Sequence, residues 1–340
     1  MSYLQAIVIA LVQGVTELFP VSSLGHSVIV PAWFGGSWNT LVTQSAQANS
    51  ESSFYLAFIV ALHFSTALAL LWFFRADWIR IVGGFTRSAR RSFRDRNFSV
   101  RGSDERLAWL IVIATIPVGL TGLALEHTFR TIFAKPLAAS IFLMVNGLIL
   151  LAGDRARRRT EATVAAAGLT PRAMMPIVGA SPGLDAHAAV LTPSRRGPRS
   201  AEDFAEAYAS DARISRLSYR DTVSVGLLQV LALLPGISRS GVTMVGGLWR
   251  GLDHEDAARF AFLLATPPIF AAGVLKLPTL FGHAGEHIHG QVAVGMVVTG
   301  VAAYVSVRYL VRYFRTRTLL PFAVYCLTIG GLSVLRFVLV

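Results

Sequence analysis

Residues 13–26 read QGVTELFPVSSLGH, and residues 234–243 read LPGISRSGVT. Each segment interrupts a long apolar run. The first lies within residues 3–34, broken at Glu17, Pro20 and Gly25; the second lies within 222–249, broken at Pro235, Gly236 and Arg239. A charge, a proline and a glycine so close together do not continue one spanning helix. Each run reads instead as two short helices meeting at a polar tip. Backbone is irregular at membrane depth only where protein or a water-filled cavity satisfies its hydrogen bonds. Both runs are therefore expected to be re-entrant hairpins.

The remaining sequence is that of a membrane protein. Of its 340 residues 54% are hydrophobic and only 15% charged, against about 25% charged in a soluble domain. A spanning helix takes roughly 20 mostly apolar residues. Six segments qualify: 54–74, 107–126, 137–153, 257–280, 291–311 and 319–339. The fold class is an all-α polytopic membrane protein. Cys326 is the single cysteine, which excludes a disulfide framework or a Cys-based zinc site within one chain. The opening residues lack the basic start and small-residue cleavage site of a signal peptide. Despite a pI near 10.7, the composition is not that of a nucleic-acid-binding protein, and no such partner is expected.

The position of the charges orients the chain. Residues 75–106, 155–220, 250–259 and 308–317 hold 26 of the 31 Lys and Arg residues, whereas 37–53 and 282–290 hold none. By the positive-inside rule the first set is cytoplasmic. The first hairpin then enters from outside, the second from the cytoplasm. Residues 1–153 form one repeat of a hairpin plus three spans, and 218–340 form a second. Three is odd, so the second repeat is inverted relative to the first, with a site expected at the midplane where the tips converge. Residues 154–217 are Ala-, Arg-, Pro- and Ser-rich and read as a flexible cytoplasmic insertion, apart from a short helix at 201–213. Anionic membrane lipids are expected neighbours of its arginines.

Glu17 and Arg239 are the two charges left deep in the apolar stretches. Each costs roughly 2.5–3.5 kcal/mol at the bilayer centre, so each needs a partner or a polar cavity. One reading is a buried Glu–Arg pair that pins the hairpins together. The other is a reaction site, because Gln13, Ser22, Ser23 and His26 surround the first charge and Ser238, Ser240 and Thr243 the second. Helix N-termini with open N–H groups favour phosphate, and a guanidinium offers it a planar fork of donors. A carboxylate repels phosphate, so Glu17 makes sense as a general base or as the ligand of a divalent cation. His26 and His63 are each open between lining the site and packing. A carrier of anions or lipid phosphates is the competing class, and it has little use for Glu17 beside Ser23.

The two segments resemble the paired signatures of the bacterial undecaprenyl-diphosphate phosphatases, the bacitracin-resistance family. Residues 61–66, ALHFST, and 321–325, PFAVY, extend the resemblance. It implies a metal-dependent hydrolase, with Mg²⁺ or Ca²⁺, that converts undecaprenyl diphosphate to the monophosphate. That reaction recycles the lipid carrier of peptidoglycan and other envelope polymers and confers bacitracin resistance. The resemblance further implies a homodimer in the bacterial inner membrane with a site facing the periplasm. Carried over by position, Glu17, Ser23, His26 and Arg239 are catalytic and Glu17 is the metal ligand. Gln13, Ser22, Ser238, Ser240 and Thr243 bind substrate. Gln13 stands where many members have Glu, leaving Glu17 as the one carboxylate at this place. Ser23 is the preferred nucleophile, with Glu17 taking its proton or holding the cation; direct attack by water is the alternative.

Overall fold

The computed structural model describes residues 1–47, 54–124, 135–166, 201–276 and 288–339. These form thirteen α-helices and no strand. In chain order they are α1 (Tyr3–Thr16), α2 (Ser23–Phe34), α3 (Gly36–Gln47), α4 (Phe54–Phe73), α5 (Arg75–Arg94), α6 (Ser103–Ala124) and α7 (Pro136–Ala166). There follow α8 (Ala201–Ile214), α9 (Tyr219–Leu231), α10 (Arg239–Trp249), α11 (His254–Lys276), α12 (His289–Tyr313) and α13 (Leu320–Leu339). Six of them, α4, α6, α7, α11, α12 and α13, are long and apolar enough to cross a membrane. They fall on the six expected segments.

Solvent-facing apolar residues on these helices identify the solvent. On α12, Val297, Val301 and Val305 repeat every four residues and are all exposed, which gives one continuous apolar stripe. Water would penalise such a stripe; acyl chains do not. Between the helices, small residues let backbones approach. Gly147 of α7 faces Ala323 and Leu327 of α13, and Gly330 of α13 faces Met144 and Ser140 of α7. Thr299 of α12 donates to the Ala10 carbonyl of α1 at 3.0 Å.

Both broken apolar runs fold as two short helices around a tip. α1 and α9 each start with a capping box, Ser2 with Gln5 and Ser218 with Asp221, which satisfies two orphan N–H groups at once. α1 ends at the Glu17–Ser22 tip and α9 at the 232–238 turn. The helices that follow begin at Ser22 and Ser238, whose side chains accept the N–H of Gly25 and Gly241.

Three expectations are corrected. The third span does not end at residue 153. α7 runs on to Ala166, because leaving the apolar layer does not end a helix and Asp154 pairs with Arg158 one turn on at 2.8 Å. The arginine-rich stretch 75–106, expected from its charges as a cytoplasmic loop between spans, is not a plain loop; α5 buries Asp77, Ile81, Gly84 and Ser88 along one helical stripe.

The third correction concerns the flexible insertion at 154–217. Residues 167–200 lie outside the described residues, but α8 is docked, with Ser210, Asp211 and Ile214 fully buried. Asp211 receives Arg259 at 2.7 and 2.9 Å and Arg80 at 2.6 Å. Arg213 grips Asp256 with two bonds of 2.6 and 2.7 Å. Arg80 also reaches Asp104 and Asp77. Burial works against its charge, yet the carboxylates of Asp211, Asp104 and Asp77 outweigh it and raise the pKa above the ordinary arginine value. Composition cannot reveal this network, since its members come from four helices.

Candidate active site

The tips of the two hairpins meet backbone to backbone. A side chain at Gly25 would lie 2.8 Å from the Gly236 Cα. Gly236 has φ +108° and is pressed on its other side by α7, where a Cβ would meet the Ala139 carbonyl and, at 2.7 Å, the Leu143 nitrogen. Only glycine fits both the torsion and the space. Ser22 sits in the seam with φ 68°, a conformation that costs an L-residue of order 1–3 kcal/mol and is tolerated where surroundings over-determine it. Its Oγ accepts the N–H of Gly25 at 3.3 Å and of Gly236 at 3.1 Å, so one hydroxyl joins the hairpins.

Glu17 lies at the end of α1 facing this seam. Its Oε2 accepts from Gln13 Nε2 at 3.0 Å and from the Ser23 hydroxyl. His63 Nε2 of α4 lies 3.1 Å from the same oxygen. The other ring nitrogen of His63 faces the Ile59 carbonyl at 2.8 Å. Both nitrogens thus face acceptors, which fixes the ring against Glu17. The Gln13 oxygen, in contrast, is buried with no hydrogen-bond partner among the described residues.

His26 is held differently. Nδ1 faces the Ser22 carbonyl at 2.7 Å, so it carries a proton, and Nε2 lies 2.8 Å from the Tyr325 hydroxyl. The Tyr325 ring stacks on the imidazole with centroids 5.7 Å apart. These contacts fix the orientation of the His26 ring.

Arg239 begins α10. Among the described residues its buried Nη1 has no hydrogen-bond partner, and Glu17 pairs with His63, not with Arg239. The reading of a Glu–Arg pin between hairpins does not hold. Ser238 Oγ caps Gly241 N at 3.1 Å and meets Ser240 Oγ at 3.0 Å; Ser240 also reaches the Phe19 carbonyl at 3.4 Å. Thr243 is buried one turn along α10. Ser22 and Ser238, expected to bind substrate, thus have their oxygens engaged by backbone N–H groups. Three further residues come to the site: His63, left open by the sequence; Tyr325, quoted only as the last residue of the PFAVY stretch; and Asn146, which gave no signal as an uncharged polar group in an apolar span.

Among the described residues no three His, Cys, Asp or Glu side chains gather as a metal-binding group. The donor set still fits a hard divalent cation. Mg²⁺ is commonly held by one or two carboxylates plus substrate phosphate oxygens, and here Glu17 offers its second oxygen while Gln13 offers an unpartnered amide oxygen. An apolar groove of about 510 Å³ runs between α5, α6 and Pro267. None of its lining residues belongs to this site.

The site therefore joins a serine hydroxyl that donates to a carboxylate with a guanidinium whose Nη1 is buried without a partner among the described residues. The model of one protein family, "Bacitracin resistance protein BacA", matches residues 6–183 and 187–332. The chain belongs to that family. Its match runs through most of 155–216, so this stretch is not foreign to the family pattern. An undecaprenyl-diphosphatase 2 of Frankia alni is 55% identical over 99% of this chain and 98% of its own length. The undecaprenyl-diphosphatase of Mycolicibacterium paratuberculosis is 51% identical over 98% and 96%. A more distant undecaprenyl-diphosphatase 2, from Chromobacterium violaceum, is 36% identical over 98% and 99%.

Proposed function

We propose that the protein hydrolyses undecaprenyl diphosphate to undecaprenyl phosphate and inorganic phosphate, returning the lipid carrier to peptidoglycan and envelope-polymer synthesis. The names of its relatives support the substrate. The observation that carries the chemistry is the Ser23 hydroxyl donating to Glu17. Ser23 Oγ attacks the terminal phosphorus as its proton passes to Glu17 Oε2. The bond from that phosphorus to the bridging oxygen breaks, and the electron pair leaves on the prenyl phosphate. Water then attacks the phosphoserine, Glu17 returns its proton to Ser23 Oγ, and both water protons depart with the inorganic phosphate.

Arg239 clamps the diphosphate and meets the charge that develops on the transferring phosphoryl group. His63 holds Glu17 in place from α4, and His26, fixed by Tyr325, shapes the start of α2. Glu17 and Gln13 would hold the divalent cation, which supplies charge neutralisation to the phosphate oxygens. The packing of α1 on α12 and of α9 on α6 supports an inverted repeat, with the reaction centre at the tips. The arginine distribution supports placement in the bacterial cytoplasmic membrane with the centre open to the periplasm.

The direct test is phosphate release from a prenyl diphosphate by purified protein. Release is expected with Mg²⁺ or Ca²⁺, with loss in chelator and recovery on metal add-back. A phosphoenzyme trapped by acid quench from labelled substrate is expected in wild type and absent in Ser23→Ala. No release at all, with labelled lipid crossing the bilayer, would replace the hydrolase with a carrier; release without phosphoenzyme would make water the nucleophile.

A further inference from the structure

Asn146 lies in the middle of α7, in a stretch from Leu137 to Gly153 that carries no charge. Its relative exposure is 0%, and both ends of its amide are engaged. Nδ2 donates to the Pro20 carbonyl at 2.9 Å and lies 3.3 Å from Cys326 Sγ of α13. Oδ1 accepts the Ser238 N–H at 3.0 Å. Pro20 sits in the tip between Glu17 and Ser23, and Ser238 directly precedes Arg239. One buried side chain therefore bonds the backbone that presents the Glu17–Ser23 pair and the backbone that presents the guanidinium.

The two backbone groups are of opposite kind, a carbonyl and an N–H, and only a carboxamide answers both from one branch point. An aspartate would turn an oxygen toward the Pro20 carbonyl. An apolar residue would leave both backbone groups buried and unpaired. The same helix supplies the Ala139 and Leu143 backbone against Gly236, so α7 is the surface on which both tips rest.

We infer that Asn146 is a positioning residue for phosphoryl transfer: it fixes where Arg239 stands relative to Ser23. The inference rests on the reading of Ser23, Glu17 and Arg239 as the reaction centre. Misplacing a reacting group by about 1 Å can cost roughly 10²-fold in rate, so loss of this tie lowers kcat more than it raises KM.

The test uses full-length protein in detergent or nanodiscs, a prenyl diphosphate and Mg²⁺, with turnover expressed per folded molecule. Asn146→Asp keeps the volume, and Asn146→Ser is a second, uncharged variant. Each is measured alone and in an Arg239→Lys background. If Asn146 acts through Arg239, kcat falls roughly 10-fold or more in the wild-type background and no more than about 3-fold in Arg239→Lys, since coupled residues are non-additive. Equal losses in both backgrounds, or unchanged kcat per folded molecule, would overturn the inference. Failure of both variants to fold would also overturn it, leaving a structural tie alone. An inactive wild type instead defeats the phosphatase reading itself, which keeps the two failures apart.

Discussion

Three groups converge on Oε2 of Glu17, and Arg239 is not one of them. If the two charges formed a buried pair, Glu17→Gln would strand the guanidinium and cost about 3–5 kcal/mol. With no such pair, Glu17→Gln is expected to leave the melting temperature near wild type. Turnover should fall by roughly 10²-fold or more, because the proton acceptor of Ser23 is gone. Arg239→Lys should lose much of its turnover while keeping a measurable remainder, since an ammonium keeps the charge but cannot reproduce the fork. The neutral double mutant should stay inactive; wild-type turnover in it would return the pair to a structural role. Glu17, Ser23 and Arg239 were legible because a charge or a serine pair in an apolar run stands out without neighbours. Asn146 was not, and Tyr325 stood only inside the PFAVY stretch with no role to read. Their partners lie 126 and 299 residues away in sequence, and an uncharged polar group in a span becomes meaningful only when the fold brings its acceptor.

Helix α8 is the element whose sequence misled most. Its Ala-rich, charged composition suggests a solvated segment, and loop length alone changes closure entropy only slowly. On that view deletion of 160–212 would be harmless. The structure gives the opposite expectation, because the deletion removes Ser210 and Asp211 and leaves Arg259, only 8% exposed, without its two-bonded partner. Asp211→Ala alone should lower stability by about 3 kcal/mol, read by thermal or denaturant unfolding of the purified protein. No loss there would mean that the network is dispensable. The hairpin tips give a second test at this scale. Gly236→Ala combines a positive φ with a collision against α7, whereas Gly251→Ala meets the same kind of torsion, φ +92°, with open space around it. The second should cost about 1–2 kcal/mol, the strain of the torsion. The first should cost clearly more and lower turnover, because the tip must move. Equal effects would show that the contact with α7 is soft.

At the scale of the whole molecule the six spans were readable from hydropathy, since the bilayer imposes length and apolarity on every one of them. Their ends were not, because charge marks the water boundary and helices such as α5 and α7 continue past it. What the charges do specify is direction. Residues 75–106, 155–220, 250–259 and 308–317 carry 26 of 31 basic residues, and among the described ones Arg80 meets Asp211 and Arg315 meets Glu255 and Glu206. Thr40 of α3, in the stretch 37–53 that holds no Lys or Arg, is exposed, as is Ala162 at the arginine-rich end of α7. If the positive-inside rule governs this chain, Thr40→Cys should react with an impermeant thiol reagent on intact cells. Ala162→Cys should react only after the membrane is opened. Both belong in a Cys326→Ser background, although Cys326 is fully buried and is expected to contribute little signal. The result also decides access to the tips: with Thr40 outside, α1 enters from the outer face and the Glu17–Ser23 pair is reached from that side. The reverse labelling pattern would turn the protein over and place its reaction centre on the cytoplasmic side.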